Sequence, residues 1–292
     1  MLKLSSESKG LIAHGVSTCQ GCGLEVIIRN VLDVLGDDTV FVIPPGCAAM
    51  FSGTGREAVM KIAGIQGNLE NTAAIAAGVS NGLRIQGNDH TKVVGFAGDG
   101  GTVDIGLQSL SGAMERNEDI LYICYDNEAY MNTGIQSSSS TPIGAYTTTT
   151  PGGKPVRQKD FMGIVMAHHV PYAATASIAN LPDLRRKVEK AKNVRGTSVL
   201  HIQCACPTGW RYPSAKSFQI SKAAVTSGAW LLFEFENGKL KINQKPKDLG
   251  NIKEYIEMQG RFKGMSEDQI NAIQSHVKER YEELDKQIKK EE

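Results

Sequence analysis

The stretch Cys19-Gln20-Gly21-Cys22-Gly23 sets two thiols in a glycine-rich turn, spaced so that both can reach one metal centre. Cys47 follows Pro44, Pro45 and Gly46, and Cys206 stands directly before Pro207, so each lies where a strand gives way to a loop. Four thiolates suit either structural Zn²⁺ or a [4Fe–4S] cluster, and spacing alone does not separate the two. Cys204 is an alternative fourth ligand, because it would share a face with Cys206 if the strand ran on. Pro207 marks the strand's end and favours Cys206. Cys124, inside ILYICYD, reads as a core thiol. A redox disulfide is disfavoured, since no strand of a small βαβ domain precedes Cys19.

A second constellation suits phosphate chemistry. Gly98-Asp99-Gly100-Gly101 closes the apolar run KVVGFAG and opens a helical pattern, the place where open α/β sheets bind ligands. Glycines let backbone amides approach a diphosphate, and a helix N-terminus favours its charge. Asp99 offers a hard oxygen for octahedral Mg²⁺. Asn127 follows 28 residues later, one helix and one strand of a βαβ unit, so the two side chains can meet at neighbouring strand ends. The plain alternative is a tight turn at GDGG and a turn-forming Asn127. The motif is not G-x-G-x-x-G, which disfavours a nicotinamide site.

Regular alternation must position these groups. GLEVIIRNVLDVLG reads as a helix ending on a glycine cap, TVFVIPP as a buried strand and NTAAIAAGVSNGL as a tightly packed helix. KVVGFAGDGG and DILYICYDN read as buried parallel strands joined by a helix from Asp104 to Glu115. Residues 130–157 form a long Ser/Thr/Gly/Pro loop of the kind that serves function, after which α/β alternation resumes up to SVLHIQCAC. The expected fold is α/β, a doubly wound, mostly parallel sheet in residues 1–230. Residues 231–292 form a polar, helical C-terminal extension, expected to embrace another subunit, with Ser266 and Asp268 placed to cap its last helix. His14, His168, His169 and His201 form no triad or metal-spaced set and are read as structural.

The chain has 292 residues, 41% of them apolar, enough for one large core or two modest ones. A net charge of +1 excludes recruitment of nucleic acid or an anionic membrane by a bulk field. No signal-peptide core or spanning apolar segment is present, which places the chain in the cytoplasm. Six cysteines in that reducing setting favour metal ligation over disulfides.

CQGCG, GDGGTVDIG, DNEAYMNTGIQSSSSTP with TTTTPGG, and CPTGW together resemble the β subunit of pyruvate:ferredoxin oxidoreductase and its 2-oxoacid relatives. These stretches span residues 19 to 210 in the expected order. The resemblance implies a thiamine-diphosphate-binding fold in which Gly98, Asp99, Gly100, Gly101, Asn127 and Ala129 hold the cofactor. Asp99, Asn127 and the Ala129 carbonyl would ligate Mg²⁺, and Asn132 would lie near the thiazolium and substrate. It implies that Cys19, Cys22, Cys47 and Cys206 hold a [4Fe–4S] cluster. The activity implied is oxidative decarboxylation of a 2-oxoacid with coenzyme A and ferredoxin. NEAYMNTG leans towards pyruvate, with oxalate, 2-oxoisovalerate and indolepyruvate relatives open. Glu70 and Glu128 are available for the carboxylate at the cofactor's aminopyrimidine, but the family takes that Glu from a partner α subunit. A ferredoxin-like subunit is also expected. The rival readings are a non-redox thiamine-diphosphate decarboxylase or transketolase-like subunit with structural zinc, and a non-catalytic zinc-stabilised scaffold.

Overall fold

The computed structural model of the chain describes residues 10–13, 15–52, 59–249 and 251–291; His14 lies outside the described residues. Its strands are β1 (Thr39–Ile43), β2 (Ala63–Gln66), β3 (Lys92–Gly98), β4 (Leu121–Asp126), β5 (Tyr172–Ser177), β6 (Ser198–Gln203), β7 (Leu232–Glu236) and β8 (Lys239–Gln244). The helices are α1 (Gly23–Leu35), α2 (Ala49–Ser52), α3 (Thr72–Ile85), α4 (Leu107–Glu115) and α5 (Phe161–Ala167). They continue with α6 (Leu181–Asn193), α7 (Pro207–Trp210), α8 (Ser217–Ser227), α9 (Ile252–Glu257) and α10 (Glu267–Glu291).

All eight strands join one sheet in the order β2-β1-β3-β4-β6-β5-β7-β8. The first six pair in parallel, while β7 and β8 add antiparallel at one edge. One face buries Ile27, Ile28, Val31 and Leu32 of α1 beside Leu184 and Val188 of α6. The other buries Ala73 and Ala76 of α3, Leu110 of α4 and Phe161 of α5. The sheet is therefore covered on both sides, which is why its central strands are nearly continuous apolar runs. β2 and β3 flank β1 on opposite sides, so successive connections leave in opposite directions and part the loops above these strand ends.

Three elements differ from the sequence expectation. The helix foreseen from Asp104 begins instead as a wide turn over Gly100–Asp104, and α4 starts only at Leu107. Gly106 permits this, since a Cβ there would run into the Gly101 carbonyl oxygen. The short strand β2 was not foreseen, because its four residues are all exposed and carry no burial pattern. The β7–β8 hairpin was also missed, although LFEFE-NG-KLKIN carries its signal. Asn237 (φ 50) and Gly238 (φ 84) supply the two left-handed residues of a tight hairpin turn.

The polar helix α10 is capped by Ser266, whose Oγ accepts from Gln269 N at 3.3 Å while Ser266 N donates to Gln269 Oε1 at 2.9 Å. Asp268 sits inside the first turn. Val277 and Leu284 of α10 are buried against the body of the fold. Among the described residues, no helix is long and apolar enough to cross a membrane.

Glu234 on β7 receives Lys190 Nζ at 2.7 Å and Arg186 Nη1 at 2.5 Å, both from α6. Its burial opposes ionisation, but these donors outweigh it and bring the carboxyl down to about 2. A folded-state value below the unfolded one gives stability that is present above the unfolded value and lost as pH falls through the folded one. Acid unfolding followed by circular dichroism should thus show a loss between about pH 4.5 and 2 that Glu234→Gln flattens. An unchanged profile would assign that loss to other carboxylates.

Candidate active site

The end of β3 and the end of β4 are hydrogen-bonded neighbours, Gly98 facing Tyr125. This brings Asp99 and Asn127, both buried, together at the carboxyl edge of the sheet. The Asn127 amide abuts Asp99 Oδ1 at 3.0 Å and the Ala129 carbonyl at 2.8 Å, with its oxygen turned to both. Three oxygens facing one another repel unless a cation lies among them or the amide turns over so that its nitrogen donates to both. Octahedral Mg²⁺ with ligands at about 2.1 Å sets neighbouring oxygens roughly 3.0 Å apart, which matches this spacing. Asp99 Oδ2 accepts from Ser138 Oγ at 2.5 Å, so the long Ser/Thr loop closes over the carboxylate. Burial, and then the charge of Asp126, hold the Asp99 carboxyl well above the usual range. A divalent cation would relieve both effects.

Tyr130 packs on the glycine turn, donating from Oη to the Gly100 carbonyl at 3.1 Å. A Cβ at Gly100 would collide with its ring, so the sequence needs glycine there. These groups line a cavity of about 110 Å³ that includes Gly98–Gly101, Asn127, Ala129 and Cys47, with the exposed Asn132 at its mouth. Neither Glu70 nor Glu128 lines it. The Glu128 carboxylate is instead 2.5 Å from Arg261 Nη2, and burial lifts it to about 7 against the pull of that guanidinium.

The cysteine loop is stitched to the exit of β6. Gly23 N donates to the Ala205 carbonyl at 3.1 Å, and Ser217 Oγ donates to the Gly21 carbonyl at 2.6 Å. A Cβ at Gly21 would strike Ser214, which explains the glycine between the two cysteines. Cys206 caps α7, its Sγ accepting from Gly209 N at 3.3 Å. Burial raises the Cys47 thiol to about 12, with the charges of Cys206, Cys22 and Cys19 adding to it. Burial likewise raises Cys206 to about 11, against the Gly209 N–H and with Cys22 and Cys19 adding. Cys206 is buried, Cys22 and Cys47 are half-buried, and Cys19 is exposed. Among the described residues, no three His, Cys, Asp or Glu side chains meet closely enough to hold a single metal ion.

β6 ends at Gln203, and beyond it the strand alternation lapses. Cys204 is buried in the cluster beneath α1 and shares a hydrogen bond with Cys22, which raises Cys204 and lowers Cys22. Cys206 packs with Trp210 instead. Cys124 lies in the core of β4 beside Ala97.

His168 is structural, bound to Ser111 Oγ at 2.9 Å and to the Ile164 carbonyl at 2.9 Å. His201 pairs with Asp126 Oδ2 at 2.6 Å between the Phe161 and Trp230 rings. It faces a larger cavity, about 470 Å³, lined also by Asp126 and Glu128. Arg261 went unnoticed in the sequence, where a lone arginine in a polar segment gives no sign that it is buried.

Residues 44–202 match the family model described as thiamine pyrophosphate enzyme, C-terminal TPP binding domain. Over 271 residues the chain is 46% identical to pyruvate synthase subunit PorB of Methanothermobacter thermautotrophicus, covering 91% of this chain and 94% of the relative. It is 45% identical over 284 residues to ketoisovalerate oxidoreductase subunit VorB of Pyrococcus abyssi, covering 93% of this chain and 91% of the relative. Its fold matches a chain of 2-oxoglutarate:ferredoxin oxidoreductase from Magnetococcus marinus with a TM-score of 0.62 at 17% identity, covering 94% of this chain and 97% of that one.

Proposed function

This chain belongs to the thiamine-diphosphate-binding β subunits of the 2-oxoacid:ferredoxin oxidoreductases, and on that premise we propose that it carries two adjoining cofactor sites within a larger complex. Asp99, Asn127 and the Ala129 carbonyl hold Mg²⁺, while the glycine turn Gly98–Gly101 receives the diphosphate. Cys19, Cys22, Cys47 and Cys206 hold a [4Fe–4S] cluster. The observation that carries this reading is the cavity lined by Cys47, Asp99 and Asn127 together, which supports a thiolate ligand beside a diphosphate anchor.

A zinc ion with sulfur at about 2.3 Å would need its four sulfurs within roughly 3.8 Å of one another. Among the described residues, no three His, Cys, Asp or Glu side chains meet that closely. When bound, thiamine diphosphate supplies the carbanion chemistry that releases CO₂ from a 2-oxoacid, and the cluster takes the electrons towards ferredoxin.

This chain's own residues orient and exclude water. Ser138 fixes the Asp99 carboxylate, Tyr130 shields the glycine turn, and Asn132, which lines the same cavity, would meet the substrate end of the cofactor. Among the described residues, no carboxylate other than Asp99 lines the cavity, which supports taking the activating Glu from an α subunit. Residues 231–292 contact the other subunits through the exposed polar face of α10, a ferredoxin-like subunit is a further partner, and coenzyme A accepts the acyl group. The complex works in the cytoplasm on pyruvate or a near relative such as 2-oxoisovalerate or oxalate.

The test is the anaerobically assembled complex assayed for iron, acid-labile sulfide and ferredoxin reduction across a panel of 2-oxoacids. Broad absorbance near ~400 nm and reduction that requires coenzyme A are expected. A colourless, zinc-loaded complex that decarboxylates without reducing ferredoxin would establish the non-redox alternative.

A further inference from the structure

The loop bearing Asn127 and Ala129 is held from behind by a residue of the C-terminal segment. Arg261, only 3% exposed, sets Nη2 2.5 Å from Glu128 Oε2. Its guanidinium lies 4.1 Å from the centre of the Trp210 ring, and its Nε donates to Gln259 Oε1 at 2.9 Å. Trp210 Nε1 in turn donates to the Asn127 carbonyl at 2.8 Å. Trp210 also closes the short α7 turn that Cys206 opens, its N–H donating to the Cys206 carbonyl at 2.9 Å. One guanidinium therefore touches a residue of each cofactor loop.

The Glu128 backbone needs such a hold. Its φ of 65 is a left-handed conformation that a non-glycine residue keeps only where its surroundings impose it. Glu128 N donates to Asp126 Oδ1 at 2.9 Å, and the Glu128 carbonyl accepts from Thr141 Oγ1 at 2.6 Å. Arg261 secures the side chain. With all three in place, the Asn127 amide and the Ala129 carbonyl on either side are held 2.8 Å apart beside Asp99.

We propose that Arg261 is a positioning residue that locks the metal-diphosphate loop and the Cys206 loop into one register. This inference rests on the function proposed above. A lysine here would keep the charge but lose the flat face for Trp210 and the breadth to reach Glu128 and Gln259 at once. Both loops would then loosen together, because the same group supports both.

The test uses the anaerobically assembled complex with Arg261→Lys, set against wild type and against Ile256→Val, a one-methylene change in the same apolar cluster that lowers stability while removing no polar contact of either loop. Thiamine diphosphate affinity in Mg²⁺ is measured by calorimetry, and the reduced cluster by its electron paramagnetic resonance spectrum. Arg261→Lys is expected to weaken the cofactor about 10-fold, the usual scale for loss of an outer-shell support, and to change the cluster spectrum. Ile256→Val should move neither. If Arg261→Lys does not assemble, Trp210→Phe, which keeps a ring but loses the N–H to Asn127, should show the same paired change. Wild-type behaviour at both sites, or a change at one alone, would overturn the proposal. A wild-type complex with neither cluster signal nor cofactor binding would overturn the function as well.

Discussion

Asp99→Ala is expected to weaken Mg²⁺-dependent thiamine diphosphate binding by roughly 1,000-fold, the scale of about 4 kcal/mol for removing one partner of a buried charged contact. The loss is large because, among the described residues, Asp99 is the one carboxylate lining the cavity, and it stands within 3.0 Å of the Asn127 amide. The fold itself should survive. Without metal, Asp99 is a buried acid facing the charge of Asp126, so alanine removes a repulsion as well as a ligand. Calorimetric titration of the assembled complex, with a thermal melt of each variant, separates the two effects. Near-wild-type binding would remove Asp99 from the site, and a collapsed melt would make its role structural.

Cys206→Ala is expected to strip the cluster, lowering iron and sulfide at least about 10-fold and abolishing ferredoxin reduction, while Cys204→Ala keeps iron. The contrast follows from placement. Cys206 lies at the head of α7, its sulfur held by the Gly209 N–H, whereas Cys204 is sunk in the apolar cluster under α1. Thiamine diphosphate binding should persist in both variants, since neither residue lines the glycine-turn cavity. If Cys204→Ala loses the iron and Cys206→Ala keeps it, the fourth ligand is Cys204. If neither loses it, the cluster is not held by this strand end.

Much of the architecture was legible because buried parallel strands and amphipathic helices leave strong one-dimensional patterns. The runs KVVGFAG and LYICYD became β3 and β4, and GLEVIIRNVLDVL became α1 with Gly36 closing it. Their spacing alone was enough to pair Asp99 with Asn127. The β7–β8 hairpin escaped notice because charged residues on its outer face mask the apolar alternation, even with Asn237-Gly238 between the strands. The wide turn at Gly100–Asp104 escaped because a helix entered through a turn closed five residues back, Ile105 N to the Gly100 carbonyl, has the same composition as one entered regularly.

Sequence alone determined the identities that chemistry requires: a carboxylate and an amide one βαβ unit apart, glycines where side chains would block the turn, and two cysteines in a glycine-rich turn with two more at strand exits. Periodicity reports what each segment buries, and covalent order reports how far apart two strand ends can stand. Only the tertiary structure decided which groups converge. It turned Glu128 away from the cavity towards Arg261, parted Cys204 from Cys206 where β6 ends, and brought Arg261 from more than 130 residues away beneath Asn127. Those outcomes depend on how loops fold over a finished sheet, where a residue's partners come from distant parts of the chain and no local pattern records them.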